Sequence, residues 1–142
     1  MIVAVDIDHT LSHAAWRDEH IEWARVSNDW DYYHSLAKED KPAKIIVDLV
    51  IALHNAGHEI YIVTARPRKW LRQTYAWLHN NGVLVNEDHI LMRHDEDFHP
   101  ATDLKMMLID QLNIDLFIDD REDVAETVTE AGITSLQVRL VS

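Results

Sequence analysis

Short apolar runs alternate along this chain with longer stretches whose apolar positions recur at helical spacing. The runs Ile2–Asp6, Glu59–Val63, Ile90–Met92, Leu116–Ile118 and Leu136–Val138 are predicted as strands. The first of them is apolar almost throughout, as expected for a central strand buried on both faces of a parallel sheet. Between the runs, helices are predicted over Lys44–Asn55, residues 68–80, Asp103–Leu112 and Val124–Ala131, with Trp70, Leu71, Tyr75 and Leu78 sharing one face. Gly57, Gly82 and Gly132 each close a helix-like stretch and precede a strand-like one. A glycine ending a helix in the left-handed conformation explains that position. Helix, glycine and strand in series predict an α/β fold: a parallel sheet of about five strands between two helical layers.

Residues 12–43 break the alternation. They are rich in Trp, His and acids, and Trp16, Trp23 and Trp30 recur every seven residues. An insertion after the first strand lies above the carboxyl end of the sheet, where ligands of such folds bind. It is read as a small cap, its Trp stripe serving either to pack the cap or to wall the substrate. No repeat, low-complexity tract or Gly/Ser linker divides the chain, so 1–142 is expected to be one domain.

Composition narrows this further. The absence of cysteine excludes disulfides, thiolate metal sites and cysteine nucleophiles. The opening MIVAVDIDHT lacks a basic flank and a cleavage site, and the apolar run Ile45–Leu53 carries Asp48 and is too short to span a bilayer. A soluble, cytoplasmic protein with no membrane partner is expected, while nothing in the pattern fixes its oligomeric state. The net charge of −12 weighs against unspecific binding to a polyanion. It reflects either an acidic surface or acids gathered around a metal.

The acids fall where chemistry is expected. Asp6 and Asp8 close the first strand in VAVDIDHTL, Thr64 closes the second in IYIVTARP, and Asp119 and Asp120 close the fourth in LFIDDRED. Strand ends of an open parallel sheet converge on one crevice, and Lys105 at a helix start can reach it. On an extended strand, residues two apart point the same way, so Asp6 and Asp8 are expected to face one substrate. Convergent carboxylates repel unless a cation compensates, and an oxygen-only cluster suits Mg²⁺.

DIDHT, a strand ending in Thr64, Lys105 and IDD appear in the order of the four motifs of the haloacid dehalogenase-like (HAD) superfamily, which the chain resembles over most of its length. The resemblance implies a Rossmann-like three-layer fold and a Mg²⁺-dependent phosphatase. It implies that Asp6 attacks phosphorus and becomes an aspartyl-phosphate, and that Asp8 protonates the leaving alcohol and then activates water. Asp6 and Asp119 would hold Mg²⁺ by side chain, Asp8 by its backbone carbonyl, and Asp120 more weakly or through water. Thr64 and Lys105 would bind phosphate, and Thr10 belongs to the first motif on the substrate side. The stretch from ILMR to LQV resembles in particular the 3′-phosphatase half of phage-type polynucleotide kinase. That comparison makes Arg66 in TAR and Arg93 in LMR candidate substrate ligands. Two positions depart from it: His9 stands where the family usually has glycine, and Ala101 stands about where the sub-family carries an acid before its lysine. No phosphate-binding GxxxxGK[ST] occurs in these 142 residues, so no kinase half is expected within them.

Three functions are weighed. The first is a phosphatase acting on a small phosphorylated substrate, most plausibly a nucleoside monophosphate. The second is a 3′-phosphatase acting on nucleic acid ends. The third, a phospho-acceptor module of response-regulator type, places its paired acids and acceptor aspartate on different strands and has no counterpart of Asp8. Trp70 and Trp77 are read as core, Asp123 as a first-turn helix residue, and the run His94, Asp95, Glu96, Asp97 and His99 as solvated loop.

Overall fold

The computed structural model describes residues 1–141. In chain order it runs β1 (Ile2–Val5), β2 (Ser12–His13), α1 (Ile21–Ser27), α2 (Asp31–Ser35), β3 (Lys41–Pro42), α3 (Lys44–Asn55), β4 (Glu59–Pro67), α4 (Leu71–Asn80), β5 (Ile90–Arg93), α5 (Ala101–Ile109), β6 (Leu116–Asp119), α6 (Glu122–Glu130) and β7 (Thr134–Gln137). The five long-range strands pair in the order β5-β4-β1-β6-β7, all parallel. Side-chain alternation divides the core. Val3, Val5 and Ile62 pack with Val47 and Val50 of α3 and Trp77 and Leu78 of α4 on one face. Ala4, Val63 and Phe117 pack with Ile109 of α5 and Val124 and Val128 of α6 on the other. This is the expected three-layer, Rossmann-like sheet.

The strand order positions the site. From central β1 the chain moves outward to β4 and β5, then crosses back to β6 and β7 on the other side of β1. The crevice at the carboxyl ends of β1, β4 and β6 is therefore the place where the winding reverses. The glycine junctions follow the predicted pattern. At Gly82 φ is +85°, and a Cβ would come within 3.1 Å of Ile51 Cδ1, so both backbone and packing ask for glycine.

Several boundaries differ from the expectation. β4 runs on to Pro67, so Thr64 lies inside the strand instead of ending it, and the ladder to β5 shifts register between Thr64 and Pro67. Such irregularities re-aim side chains beside a crevice. α5 starts earlier, at Ala101, and stops at Ile109, after which Leu112 N–H closes a turn on the Ile109 carbonyl. β7 starts at Thr134 because Thr134 pairs with Leu116.

The 12–43 segment is closed at its base by antiparallel pairing of β2 with β3. Its tryptophans do not form one stripe. Trp16 sits in a 3₁₀ turn over Ala15–His20, Trp23 is exposed on α1, and only Trp30, at the start of α2, lines the cleft. The seven-residue repeat spans separate short elements, so no continuous helix carries it. Trp77 is buried and Trp70 partly so. Among the described residues, no helix is long and apolar enough to cross a membrane.

Candidate active site

Asp6 is the first residue beyond β1, and its N–H donates to Ile118 O at 2.9 Å, continuing the β1–β6 ladder by one step. This rigid placement puts a buried carboxylate at the centre of the crevice. Lys105 Nζ lies 3.1 Å from Asp6 Oδ1 and 2.6 Å from Asp119 Oδ2. Thr10 Oγ1 donates to Asp6 Oδ2 at 3.2 Å and lies 3.5 Å from Asp120 Oδ1. Arg121 N–H donates to Asp119 Oδ1 at 3.0 Å. Carboxylate oxygens of Asp6, Asp119 and Asp120 lie within 4.8 Å of one another. Thr64, fully buried, spends its hydroxyl oxygen on the Arg66 N–H at 3.2 Å.

Charge within this group does not balance. Three carboxylates face one ammonium, which leaves two negative charges in a buried pocket. Burial raises the Asp6 carboxyl well above the usual range; Lys105 opposes this, and Asp119, Asp8 and Asp120 push it further up. Asp120 is likewise raised by burial and by Asp119. Lys105 would be lowered by burial, but Asp6 and Asp119 outweigh that and hold it charged, above its ordinary value. An oxygen-only donor set carrying two excess negative charges fits a hard divalent cation.

Asp8 belongs to a second, separate group. The period-two argument needs the strand to continue to Asp8, but β1 ends at Val5 and the chain turns there. The N–H groups of Thr10, Leu11 and Ser12 all donate to Ile7 O. Asp8 reaches the same cleft by this turn, with its carboxylate held by arginines. Arg66 Nε donates to Asp8 Oδ2 at 3.1 Å and Arg66 Nη2 to Oδ1 at 2.8 Å, while Arg66 Nη1 is held by Thr74 Oγ1 at 3.2 Å. Arg17 Nη2 also donates to Asp8 Oδ1. Burial would raise the Asp8 carboxyl, but Arg66 and then Arg17 outweigh it and hold it far below the usual carboxylate range.

Arg17 and Asp40 were not singled out by the sequence. Arg17 is fully buried, and Asp40 accepts from its Nε at 3.0 Å and its Nη2 at 2.7 Å. Trp16 Nε1 donates to Asp40 Oδ1 at 2.8 Å, and Tyr33 lies under the Arg17 guanidinium at 4.6 Å. Two carboxylates and two guanidinium groups make this second group neutral. No local pattern marks Arg17, because its partners stand 9 and 23 residues away. A buried arginine here was discoverable only from three-dimensional contacts.

The remaining candidates divide. Arg93 lines the cleft, but its Nε donates to Ala65 O and its Nη1 to Asp97 O and His99 O, so it also ties the 94–99 loop to β4. That loop is mostly exposed, as expected, with Asp97 half-buried. Asp123 stands in the first turn of α6, paired with Arg121. Ala101 borders the cleft without a polar group, and Asp103 lies outside its lining. His9 takes φ = +62°, a left-handed conformation that a side chain occupies at a cost on the order of 1–2 kcal/mol.

Above both groups opens a cleft of about 740 Å³. Trp30, Tyr33 and His34 of the 12–43 segment line it, together with Lys69, Arg93 and the exposed Phe98. Asp29, Asp31, Asp95 and Asp97 also line it. Chemically, the crevice offers a fixed, buried carboxylate, an ammonium beside it, a group of oxygens suited to a cation and a second carboxylate that lines the cleft.

The sequence model of the family described as the polynucleotide kinase PNKP phosphatase domain matches residues 1–140. A putative nucleotidase of Bacillus cereus is 31% identical over 135 residues, covering 89% of this chain and 65% of its own length. A putative nucleotidase of Oceanobacillus iheyensis is 36% identical over 88 residues, covering 61% of this chain and 43% of its own. The chain thus spans less than two thirds of the length of either relative. Among solved structures, a chain of the Pnkp1/Rnl/Hen1 RNA repair complex superposes with a TM-score of 0.79 at 20% identity, over 96% of this chain and 42% of that one. At that identity the likeness concerns the fold.

Proposed function

The chain belongs to the polynucleotide kinase phosphatase-domain family of the HAD superfamily, and on that premise we propose that it hydrolyses phosphate monoesters through a phosphoaspartate at Asp6, with nucleotides as substrates. The observation that carries this reading is the buried Asp6 carboxylate, fixed at a strand end beside Lys105 within a group two negative charges in excess. Asp6, Asp119 and Asp120, with the Asp8 carbonyl, would hold Mg²⁺, which when bound neutralises charge on the phosphoryl group and keeps Asp6 ionised.

Asp6 attacks phosphorus, the bond from phosphorus to the ester oxygen breaks, and the departing oxygen takes a proton. Water then attacks the phosphoaspartate, which releases phosphate and restores Asp6. Lys105 sits where it can bind a phosphoryl oxygen as charge develops, while Thr10 and Thr64 orient Asp6 and the Arg66 backbone. Asp8 is the proton carrier. As an ionised carboxylate between Arg66 and Arg17 it suits the second step, taking a proton from water. For the first step it must itself carry a proton. Incoming phosphate draws the Arg66 guanidinium, which lines the cleft, onto its own oxygens, and this relaxes the stronger of the two constraints that keep Asp8 ionised, while Arg17 stays on Asp40. Arg66 is thus both a substrate ligand and the governor of Asp8. Arg93 supports the cleft through the loop it ties. The 12–43 segment acts as a small cap within a single domain.

Nucleotides suit the cleft because Trp30, Tyr33 and Phe98 offer aromatic surface to a base. A second reading, a 3′-phosphatase of nucleic acid ends, draws on the family description and on the RNA repair complex. The acidic lining at Asp29, Asp31, Asp95 and Asp97 disfavours an extended polyanion. Assaying nucleoside monophosphates beside a 3′-phosphorylated oligonucleotide, with Mg²⁺ and then with a chelator, separates the two. Higher kcat/KM on mononucleotides, abolished by chelation, is expected. Strong preference for the oligonucleotide overturns the substrate assignment, and activity indifferent to chelation overturns the Mg²⁺ assignment.

A further inference from the structure

His9 plays no part in the mechanism above, yet its placement is costly and specific. The turn after Asp6 is locked by three N–H groups, of Thr10, Leu11 and Ser12, that converge on Ile7 O at 3.0, 2.9 and 3.0 Å. That closure forces position 9 to φ = +62°, where glycine is the unstrained residue. The imidazole is one third exposed and lines the cleft. Its Nε2 lies within ion-pair distance of Asp18 Oδ1, at 3.4 Å and without a formed hydrogen bond, while its Nδ1 bonds to no partner among the described residues. A polar ring is thus held against strain at the cleft wall with hydrogen-bonding capacity to spare. Strain retained beside a reactive group is a reason to look for a role.

We propose that His9 is a specificity-determining residue that hydrogen-bonds a sugar hydroxyl of the substrate. The inference rests on the nucleotide phosphatase reading. His9 follows Asp8 in the chain and lines the same cleft, so its imidazole is within the space that the departing group of the substrate must occupy. A nucleotide presents hydroxyls there; an aryl phosphate presents none.

Three variants test this, each assayed on a nucleoside monophosphate and on p-nitrophenyl phosphate. His9→Gly removes ring and strain, His9→Ala removes the ring but keeps the strained φ, and His9→Asn keeps a polar group in a residue that tolerates this conformation. The ratio of kcat/KM for nucleotide to that for aryl phosphate is expected to fall about tenfold in the Gly and Ala variants, mainly through nucleotide KM. The Asn variant is expected to restore part of it. His9→Gly should melt no more than about 2 °C below the wild type, because relief of the strained φ offsets the freedom gained by the unfolded chain. Ratios within twofold of wild type in both the Gly and Ala variants overturn the proposal while leaving the phosphatase reading intact. A wild type that hydrolyses neither substrate overturns that reading, and this one with it.

Discussion

Replacing Asp40 by asparagine should destabilise the protein severely, although Asp40 carries out none of the chemistry. Its carboxylate accepts from Trp16 Nε1 at 2.8 Å and from Arg17 Nε and Nη2 at 3.0 and 2.7 Å, and it lies 3.9 Å from Arg66 Nη2. With Asp8 it balances two buried guanidinium groups. The Asp40→Asn substitution removes one charge and turns an amide NH₂ toward an N–H donor, leaving the group with a surplus positive charge away from water. Breaking a buried pair in this way costs about 3–5 kcal/mol. The hydrogen bonds give a similar figure: three bonds to charged groups at about 1.5–3 kcal/mol each, with one or two partly retained by the amide carbonyl of the variant. With a urea m-value of about 1.5–2 kcal/mol/M, the unfolding midpoint should fall by about 2–3 M. A shift below about 0.5 M would show that the carboxylate is not needed to balance the arginines. A double-mutant cycle refines the test. Adding Arg17→Met removes the unpaired charge and should recover at least about 1 kcal/mol, whereas strict additivity would refute the coupling.

Three further outcomes follow from the same geometry. Burial holds His34 at about 4, its Nδ1 without a partner. Since the unfolded ring titrates near 6.5, the unfolded state alone takes up this proton as pH falls from about 6.5 to 4, so stability is full above that window and declines through it. Chemical denaturation at pH 8 and 5.5 should show a loss of at most about 1.4 kcal/mol that His34→Gln abolishes; an unchanged slope in that variant would exclude His34 as the source. Mg²⁺ at ten times its dissociation constant should add about 1.4 kcal/mol, on the order of 3–5 °C in Tm, and Asp119→Asn should remove most of that gain. Lys105→Met should lower kcat at least about a hundredfold and, in chelator, also lower Tm, since Asp6 and Asp119 then repel without a counter-charge; near-normal kcat would remove Lys105 from the site.

What the sequence discloses and what it withholds have physical reasons. Asp6 and Asp119 are legible because a short apolar run gives way to acids at the end of β1 and of β6, and parallel strand ends converge. The same logic failed one turn later. The side chain of Asp8 follows a closed turn rather than a strand, so periodicity could not foresee its arginine partners. Local pattern ends the strand at Thr64 because it cannot reveal the register-shifted pairing of Pro67 with Arg93 of β5 that carries β4 on to Pro67. Arg17 and Asp40 are bound by contacts between distant positions, with no composition or spacing to announce them. The tryptophan repeat misled in the opposite direction, since a seven-residue spacing means a stripe only on one continuous helix. Arg93 shows a further limit. A guanidinium can be recognised from sequence, but whether it meets phosphate or the carbonyls of Ala65, Asp97 and His99 depends on the loop that folds around it.

The central claim is a covalent phosphoaspartate at Asp6. Rapid acid quenching during turnover of a nucleoside monophosphate with Mg²⁺, followed by peptide mapping by mass, tests it most directly. A phosphoryl adduct on the peptide carrying Asp6, absent from the Asp6→Asn variant along with turnover, is the expected result. Full turnover by Asp6→Asn, or an adduct on a different residue, would contradict the account.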